Sequence, residues 1–318
     1  MKNWIQRHSS KFIALMLICT AVYGIGRLYF ELTGGFAVRH ISSNLTFDPQ
    51  REIHFSTQQK EAVSQILHQH FHYLGKGCQS YVFLSEDGKY VIKFLKYQRF
   101  RPQKFLDVFS FLPFVEKIRQ QKLIKKNERL NNLFSSWKIA AENLNDETGI
   151  VFLHLNKTSD LNPSLVIYDK LGLKHTLNPN QLEFMIQKRA EMLCPTIDEY
   201  MVKGEKDKAK KLLTNLLEMI LSEYQRGLAD NDHALMQNTG VIEGKPVHID
   251  VGQFESNKRF LDKKEYGIEL FSKMYKFRIW LSKRHPELES FLTAHLLKVL
   301  GPEMWSMTPR LKTLDEAA

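Results

Sequence analysis

The 318-residue chain predicts an α+β fold of two lobes: a small antiparallel β-sheet lobe, then a reduced, mostly helical carboxyl-terminal lobe, with an N-terminal hydrophobic helix ahead of both. Three observations carry this expectation. Short runs rich in β-branched and aromatic residues, at 81–84, 90–94, 150–155 and 164–169, read as strands. From residue 181 onward apolar residues recur at helical spacing, most clearly Leu212, Leu213, Leu216, Leu217, Ile220 and Leu221. Residues 12–26 carry no charge at all. The divisions expected from this are an anchor or signal segment at 1–33, a linker at 34–58, and a body at 59–318 whose lobes meet near residue 170.

The amino terminus has Lys2, Arg7 and Lys11 before the uncharged run, and Arg27 interrupts it before Leu28, Tyr29 and Phe30. Fifteen uncharged residues fall short of the roughly 20 that span a bilayer. They span if Arg27 snorkels, with Trp4, Tyr23 and Tyr29 at the interfaces. A basic start and a short apolar core are also the plan of an export signal, with Gly24-Ile25-Gly26 as a cleavage site. An uncleaved anchor that meets the membrane through residues 12–30 is the favoured reading. Residues 34–56 lack periodicity and read as a connector. Ala62, Val63, Ile66, Leu67 and Phe71 share a helical face. His68 and His72 are four apart there, but no third ligand is near, so solvated histidines are the better reading.

Leu74-Gly75-Lys76-Gly77-Cys78-Gln79-Ser80 is a glycine-containing turn into a strand through Val82, and Glu86-Asp87-Gly88-Lys89 signals a hairpin. The next strand, Tyr90-Val91-Ile92-Lys93-Phe94, puts a lysine among apolar neighbours. Residues 96–129 are basic and interleaved with aromatics (Lys96, Arg99, Arg101, Lys104, then Lys117, Arg119, Lys122, Lys125, Lys126 and Arg129). Such a stretch suits anionic lipid beside an anchor, nucleic acid, or simply solvent. A helix is expected over 128–144, strands over 150–155 and 164–169, and a crossover to the larger lobe at Asp169-Lys170-Leu171-Gly172. Two more amphipathic helices are expected over 266–280 and 288–300.

Two acidic segments carry the chemistry. The first is Gly227-Leu228-Ala229-Asp230-Asn231-Asp232, followed by Gln237 and Asn238; the second is Pro246-Val247-His248-Ile249-Asp250-Val251-Gly252, eighteen residues beyond Asp232. An acid at a strand end on a glycine turn can hold a divalent cation, and the earlier loop adds an acid and a carboxamide. Phosphoryl transfer asks a protein mainly for positioning and charge neutralisation.

In this order, the glycine loop, strand lysine, acidic loop and Asp-x-Gly resemble the protein kinase-like superfamily, over about residues 71–256. The resemblance implies ATP and Mg²⁺ as cofactors and a hydroxyl-bearing substrate. It implies that Gly75, Gly77, Ser80 and Val82 cover the nucleotide and that Lys93 holds its phosphates. Glu128 would pair with Lys93, Glu116 and Glu142 being alternatives. Asp232, with Asp230 beside it, would serve the acceptor hydroxyl. Asp250 would bind the metal with Asn238 or Gln237. The chain departs from the family where Ser80 replaces a third glycine, where Asp230-Asn231-Asp232 replaces His-Arg-Asp, where Gln237 stands at the usual asparagine position, and where no Ala-Pro-Glu follows Asp250.

With 45 Lys and Arg against 35 Asp and Glu, the net charge of +10 favours anionic partners. Cys19, Cys78 and Cys194 show no paired spacing, which argues against a disulfide framework and a structural zinc site. An NAD-type Rossmann fold is disfavoured because strand, not helix, follows the glycine turn. The leading expectation is an atypical membrane-associated kinase acting on a protein, lipid or small molecule. The alternatives are a catalytically inactive kinase-like binding module at a membrane, or a basic nucleic-acid-binding protein, with nucleic acid the less favoured partner.

Overall fold

The computed structural model describes residues 2–162 and 164–310. The side chains of Lys2, Trp4, Arg7 and Lys104, which entered the charge and interface arguments above, lie outside the described residues.

Helix α1 (Lys2–Thr33) runs unbroken past Arg27, which meets Glu31 at 3.5 Å one turn later. Within it, Lys11–Thr33 is long and apolar enough to cross a membrane by length and composition, with mean hydropathy 1.7 and none of its apolar window buried. The helix stops at Gly34 and Gly35, whose φ angles of 64° and 75° are left-handed. A Cβ at Gly34 would also sit 2.4 Å from the Tyr73 hydroxyl.

The stretch expected as a linker is packed structure. Phe36 and Ile41, the latter in α2 (Val38–Ile41), belong to the sheet's core, and the Ser43 hydroxyl donates to Glu183 at 2.7 Å. Helix α3 (Thr57–Leu67) begins at a reciprocal Ser56–Gln59 capping box and buries Val63, Ile66 and Leu67. It ends before His68, so His72 lies in the following strand, stacked on Tyr168, and the two histidines share no helical face.

Seven strands form the first lobe's sheet: β1 (His70–Lys76), β2 (Ser80–Ser85), β3 (Tyr90–Leu95), β4 (Ile150–His154), β5 (Leu165–Tyr168), β6 (Lys174–Leu177) and β7 (Phe184–Lys188). Their order is β4-β7-β3-β2-β1-β5-β6, antiparallel apart from the β1–β5 pair. Phe71, Phe83, Phe94 and Phe184 are fully buried in it, each contributing about 1.5–3 kcal/mol of burial. Between β3 and β4 come α4 (Lys104–Val108), α5 (Pro113–Asn143) and α6 (Asn145–Thr148); α5 starts 15 residues before the expected helix.

Asp169–Gly172 is not the crossover. It is the β5–β6 hairpin turn, with Asp169 Oδ1 accepting from the amides of Leu171 and Leu173. The sheet continues through β7, so residues 184–188, read as helical, are a central strand and the passage to the second lobe begins at Arg189. Four consecutive buried positions in β7 conceal the alternation that marks a strand.

The second lobe holds β8 (Glu191–Met192), α7 (Leu193–Val202), α8 (Lys206–Gln225), β9 (Leu228–Asp230), α9 (Leu235–Asn238), β10 (Thr239–Ile242), β11 (Lys245–His248), β12 (Phe254–Ser256), α10 (Lys263–Arg284) and α11 (Pro286–Leu300). Its core packs the expected α8 stripe against Leu270, Met274 and Phe277 of α10 and Leu288, Leu292 and Leu296 of α11. The architecture is therefore α+β and two-lobed, as expected, behind an apolar helix.

Candidate active site

A cavity of about 580 Å³ separates the lobes. Its roof is the β1–β2 hairpin, with Gly77, Cys78, Gln79, Ser80 and Val82 facing it. Tight pairing makes this turn: the Gly77 amide donates to the Ser80 carbonyl at 3.0 Å, and Leu74 bulges out of the ladder before Gly75. Gly75, expected to cover the nucleotide, is not among the residues that line the cavity, and it has open space where a Cβ would lie. Lys96 reaches back to the Gly77 carbonyl, and Arg99 donates to the Cys78 carbonyl at 2.9 Å, so cations from the β3 end brace the loop.

Lys93 enters from the middle of β3, where β2 and β7 pair with it on either side. Its ammonium donates to the Ile249 carbonyl. Burial pushes its pKa down to about 8, with Asp250 pulling the other way. Asp250 follows β11 and opens to solvent through the cavity while protein crowds its other sides. That burial raises its carboxyl above the usual range, against the pull of Lys93, and Asp230 and Asp232 push the same way as burial. Its Oδ1 accepts from the Gly252 amide at 3.1 Å. A Cβ at Gly252 would lie 2.6 Å from Gln79 Oε1, so the roof loop reaches the acidic turn.

From the second lobe, Asp232, Gln237 and Asn238 line the same cavity. Asp232 is half-buried, its Oδ1 accepting from the Ala234 amide at 2.9 Å and its Oδ2 from Gln253 at 3.2 Å. The Asn238 carbonyl accepts from the Ile249 amide at 2.8 Å, which fixes it beside the strand that ends at Asp250. Gln237 is the more exposed of the two amides.

Two more expectations fail. Asp230 does not line the cavity. It is buried beneath the loop against Lys273 of α10, Nζ to Oδ2 3.0 Å, and its Oδ1 accepts from the Asp232 amide at 3.0 Å. It holds the loop's shape and has no route to a substrate. Glu128 is exposed and does not meet Lys93; α5 faces the site with Leu133, Ser136 and Trp137, one and two turns further on. Ser136 donates to the Val251 carbonyl at 2.5 Å and accepts from the Phe254 amide at 2.6 Å, so α5 grips the acidic turn through a hydroxyl. Glu116 meets Arg119 at 3.3 Å and Glu142 meets Lys138 at 3.7 Å, so neither alternative serves.

Several contributors escaped the sequence reading. Met185, Gln187 and the 188–192 passage wall the cavity's inner end, with Val82 and Val91 above and Met192 and Ile249 below. Gln187 Nε2 donates to the His248 carbonyl at 2.8 Å, and His248 pairs with Glu223 of α8 at 2.7 Å, both fully buried. His233, next to Asp232, pairs with Glu269 of α10 at 2.5 Å. Lys273, the partner of Asp230, did leave a trace in the sequence: a lysine inside the apolar face made by Leu270, Met274 and Phe277.

No family model matches the chain, and no curated protein matches it. Solved structures that match include one of the bifunctional kinase-methyltransferase WbdD, at 15% identity and TM-score 0.32, covering 75% of this chain and 46% of that one. WbdD with the kinase inhibitor LY294002 matches at 14% identity and TM-score 0.34, over 76% and 48%. Monomeric WbdD matches at 17% and 0.32, over 70% and 45%. The chain thus spans about half the length of these structures.

Proposed function

We propose that the protein is a membrane-associated, ATP-dependent phosphotransferase that moves a γ-phosphoryl group to a hydroxyl of a protein, lipid or small molecule. The observation that best supports this is the convergence on one cleft of Lys93, Asp250, Asp232 and the amides of Asn238 and Gln237, contributed by both lobes. Lys93 would pair with the α- and β-phosphates beneath the roof loop, and the apolar inner end would take the base. Asp232 would orient the acceptor hydroxyl and take its proton as the new O–P bond forms and the bond to the ADP oxygen breaks. Asp250 with the carboxamide of Asn238 or Gln237 suits Mg²⁺ by donor type, since that ion takes few protein oxygens and completes its shell with phosphate and water. Bound there, Mg²⁺ would neutralise charge on the transferring group.

α1 would tether the domain with residues 36–318 in a nucleotide-containing compartment, whether the cytoplasm or, for an exported chain, a host cytosol. Cys78 is the better reporter of that side, because it is exposed whereas burial raises the Cys194 thiol to about 11. A membrane-impermeant thiol label reaching Cys78 only from an ATP-free side would defeat the enzymatic reading.

One observation favours a second reading, a nucleotide-binding module without turnover: α5 brings no acid to Lys93. Transfer of labelled γ-phosphate by the full chain with Mg²⁺, to membrane extracts and to water, separates the two. Turnover that Asp250→Ala abolishes supports the enzyme. Nucleotide-dependent thermal stabilisation with no turnover supports the module.

A further inference from the structure

Large apolar side chains are exposed mainly in two places: α1, and a corner made by α4 and the start of α5. At that corner Phe105, Val108, Phe109, Phe111, Phe114 and Ile118 all point outward, from 42% exposed at Ile118 to 74% at Phe111. The corner is built rather than loose. Leu106 and Val115 are buried, and Arg119 clasps Asp107 at 2.8 Å, holding α4 against α5. Water-exposed phenylalanines at this density imply a cover.

The surroundings say which cover. Residues 96–129 hold ten Lys and Arg against three Asp and Glu, so two copies facing each other here would bring like charges together, whereas an anionic surface would be attracted. The segment just before the corner is also tied to α2 and its C-cap, a few residues beyond the end of α1. Arg101 donates to the carbonyls of Arg39 and Ser42, at 3.1 and 2.6 Å, and Lys126 donates to the Arg101 carbonyl. Lys170 donates to the Glu31 carbonyl at 2.7 Å, and beside it Leu171 and Leu173 are exposed at the β5–β6 turn. Apolar rings ringed by lysines, next to the exit of an apolar helix, are the composition of a segment that lies in a lipid interface.

We infer that the 105–118 corner is a second membrane contact, inserting its phenylalanines into the headgroup boundary of an anionic leaflet while Lys122, Lys125 and Arg129 meet lipid phosphates. This deepens the membrane-associated reading above. Because Lys76 of β1 lies over the Phe30 ring at 3.7 Å and donates to the Gly34 carbonyl, the two contacts together would fix the roof of the cleft relative to the bilayer.

The test places a benzophenone amino acid at Phe111 in the full chain, reconstituted in vesicles with or without phosphatidylserine. Leu17 serves as a reporter for α1, and Val202, 88% exposed on the second lobe, as a control. Lipid adducts at 111 exceeding those at 202 by about tenfold or more, and falling several-fold in neutral vesicles or in the K122E/K125E/R129E variant, are expected. Adducts at 111 that equal those at 202, that join two copies of the chain, or that ignore lipid charge would overturn the proposal. Adducts at 17 without adducts at 111 would overturn this contact and leave the anchor standing; their absence at 17 with adducts at 111 would remove the anchor and keep the contact.

Discussion

Two aspartate–lysine associations lie on either side of the acidic loop, and they are opposites. Below it, Asp230 and Lys273 are both fully buried at 3.0 Å, sealed by α10. Above it, Asp250 and Lys93 line one cavity, the lysine's own hydrogen bond going to the Ile249 carbonyl and the carboxylate left open to solvent. The first pair has satisfied each other's charge and can do nothing else. The second is held in an uneasy state, the lysine's pKa pushed down and the carboxyl's pushed up by burial, which an arriving phosphate and cation would relieve. The same two residue types thus make a structural pin in one place and a receptive site in the other, and access to the cavity is the difference.

The sharpest break of this comparison is Asp230→Ala, which strands a buried ammonium. A loss of about 3–5 kcal/mol in stability is expected by denaturant unfolding, largely restored by adding Lys273→Met. If Asp230→Ala instead keeps its stability and loses only turnover, Asp230 belongs to the chemistry after all. Asp250→Ala and Lys93→Ala should do the reverse, lowering γ-phosphate transfer on the order of 10²–10³-fold while unfolding within ~1 kcal/mol of the native chain. Loss of fold in either would place them with the pin.

Asp232→Asn should cut turnover about 10²-fold and leave nucleotide affinity nearly unchanged, because the role proposed for it concerns the acceptor. Comparing Asn238→Ala with Gln237→Ala in Mg²⁺ titrations tells which amide serves; the backbone tie to Ile249 favours Asn238.

A milder effect should follow pH. With the folded pKa of Lys93 near 8 against an ordinary 10.5, the ammonium proposed to hold phosphate is lost as pH rises through 8. Nucleotide affinity should then fall, by up to about tenfold per pH unit, and Lys93→Arg should flatten the profile. The sign for stability is opposite. Between 8 and 10.5 the unfolded chain holds a proton that the folded one does not, so Lys93 contributes increasing stability as pH rises through that window. Lys96, also pushed down to about 8 by burial beside Lys76 and Arg99, braces the roof, and Lys96→Arg separates its share. The smallest effect is expected from Glu128→Gln, less than twofold on turnover, since that side chain is exposed. A large loss there would mean that α5 rotates to bring an acid to Lys93.

Composition and spacing determined much of this protein before any coordinates. The strand around Lys93, the hairpin at Gly88, the α8 stripe, and the distance from Asp232 to Asp250 are written in runs of a few residues, where alternation, helical period and turn chemistry are local properties. Lys93, Asp232, Asn238, Gln237 and Asp250 stood out as one set through the resemblance to the kinase-like superfamily, and they line one cavity. What tertiary structure alone decided is which charged groups find each other across long stretches of chain. Asp230 and Asp232 are both acids of one short loop, and only α10, arriving some forty residues later, buries one and leaves the other. Glu128 lies on the predicted helix, but the rotation of α5 about its axis is set by packing Leu133, Phe134 and Trp137 against Leu153, Met185 and Val251, and that turns the glutamate outward. Likewise β7 looks like neither strand nor loop until β3 and β4 flank it, because burial on both faces removes the alternation that a local reading depends on.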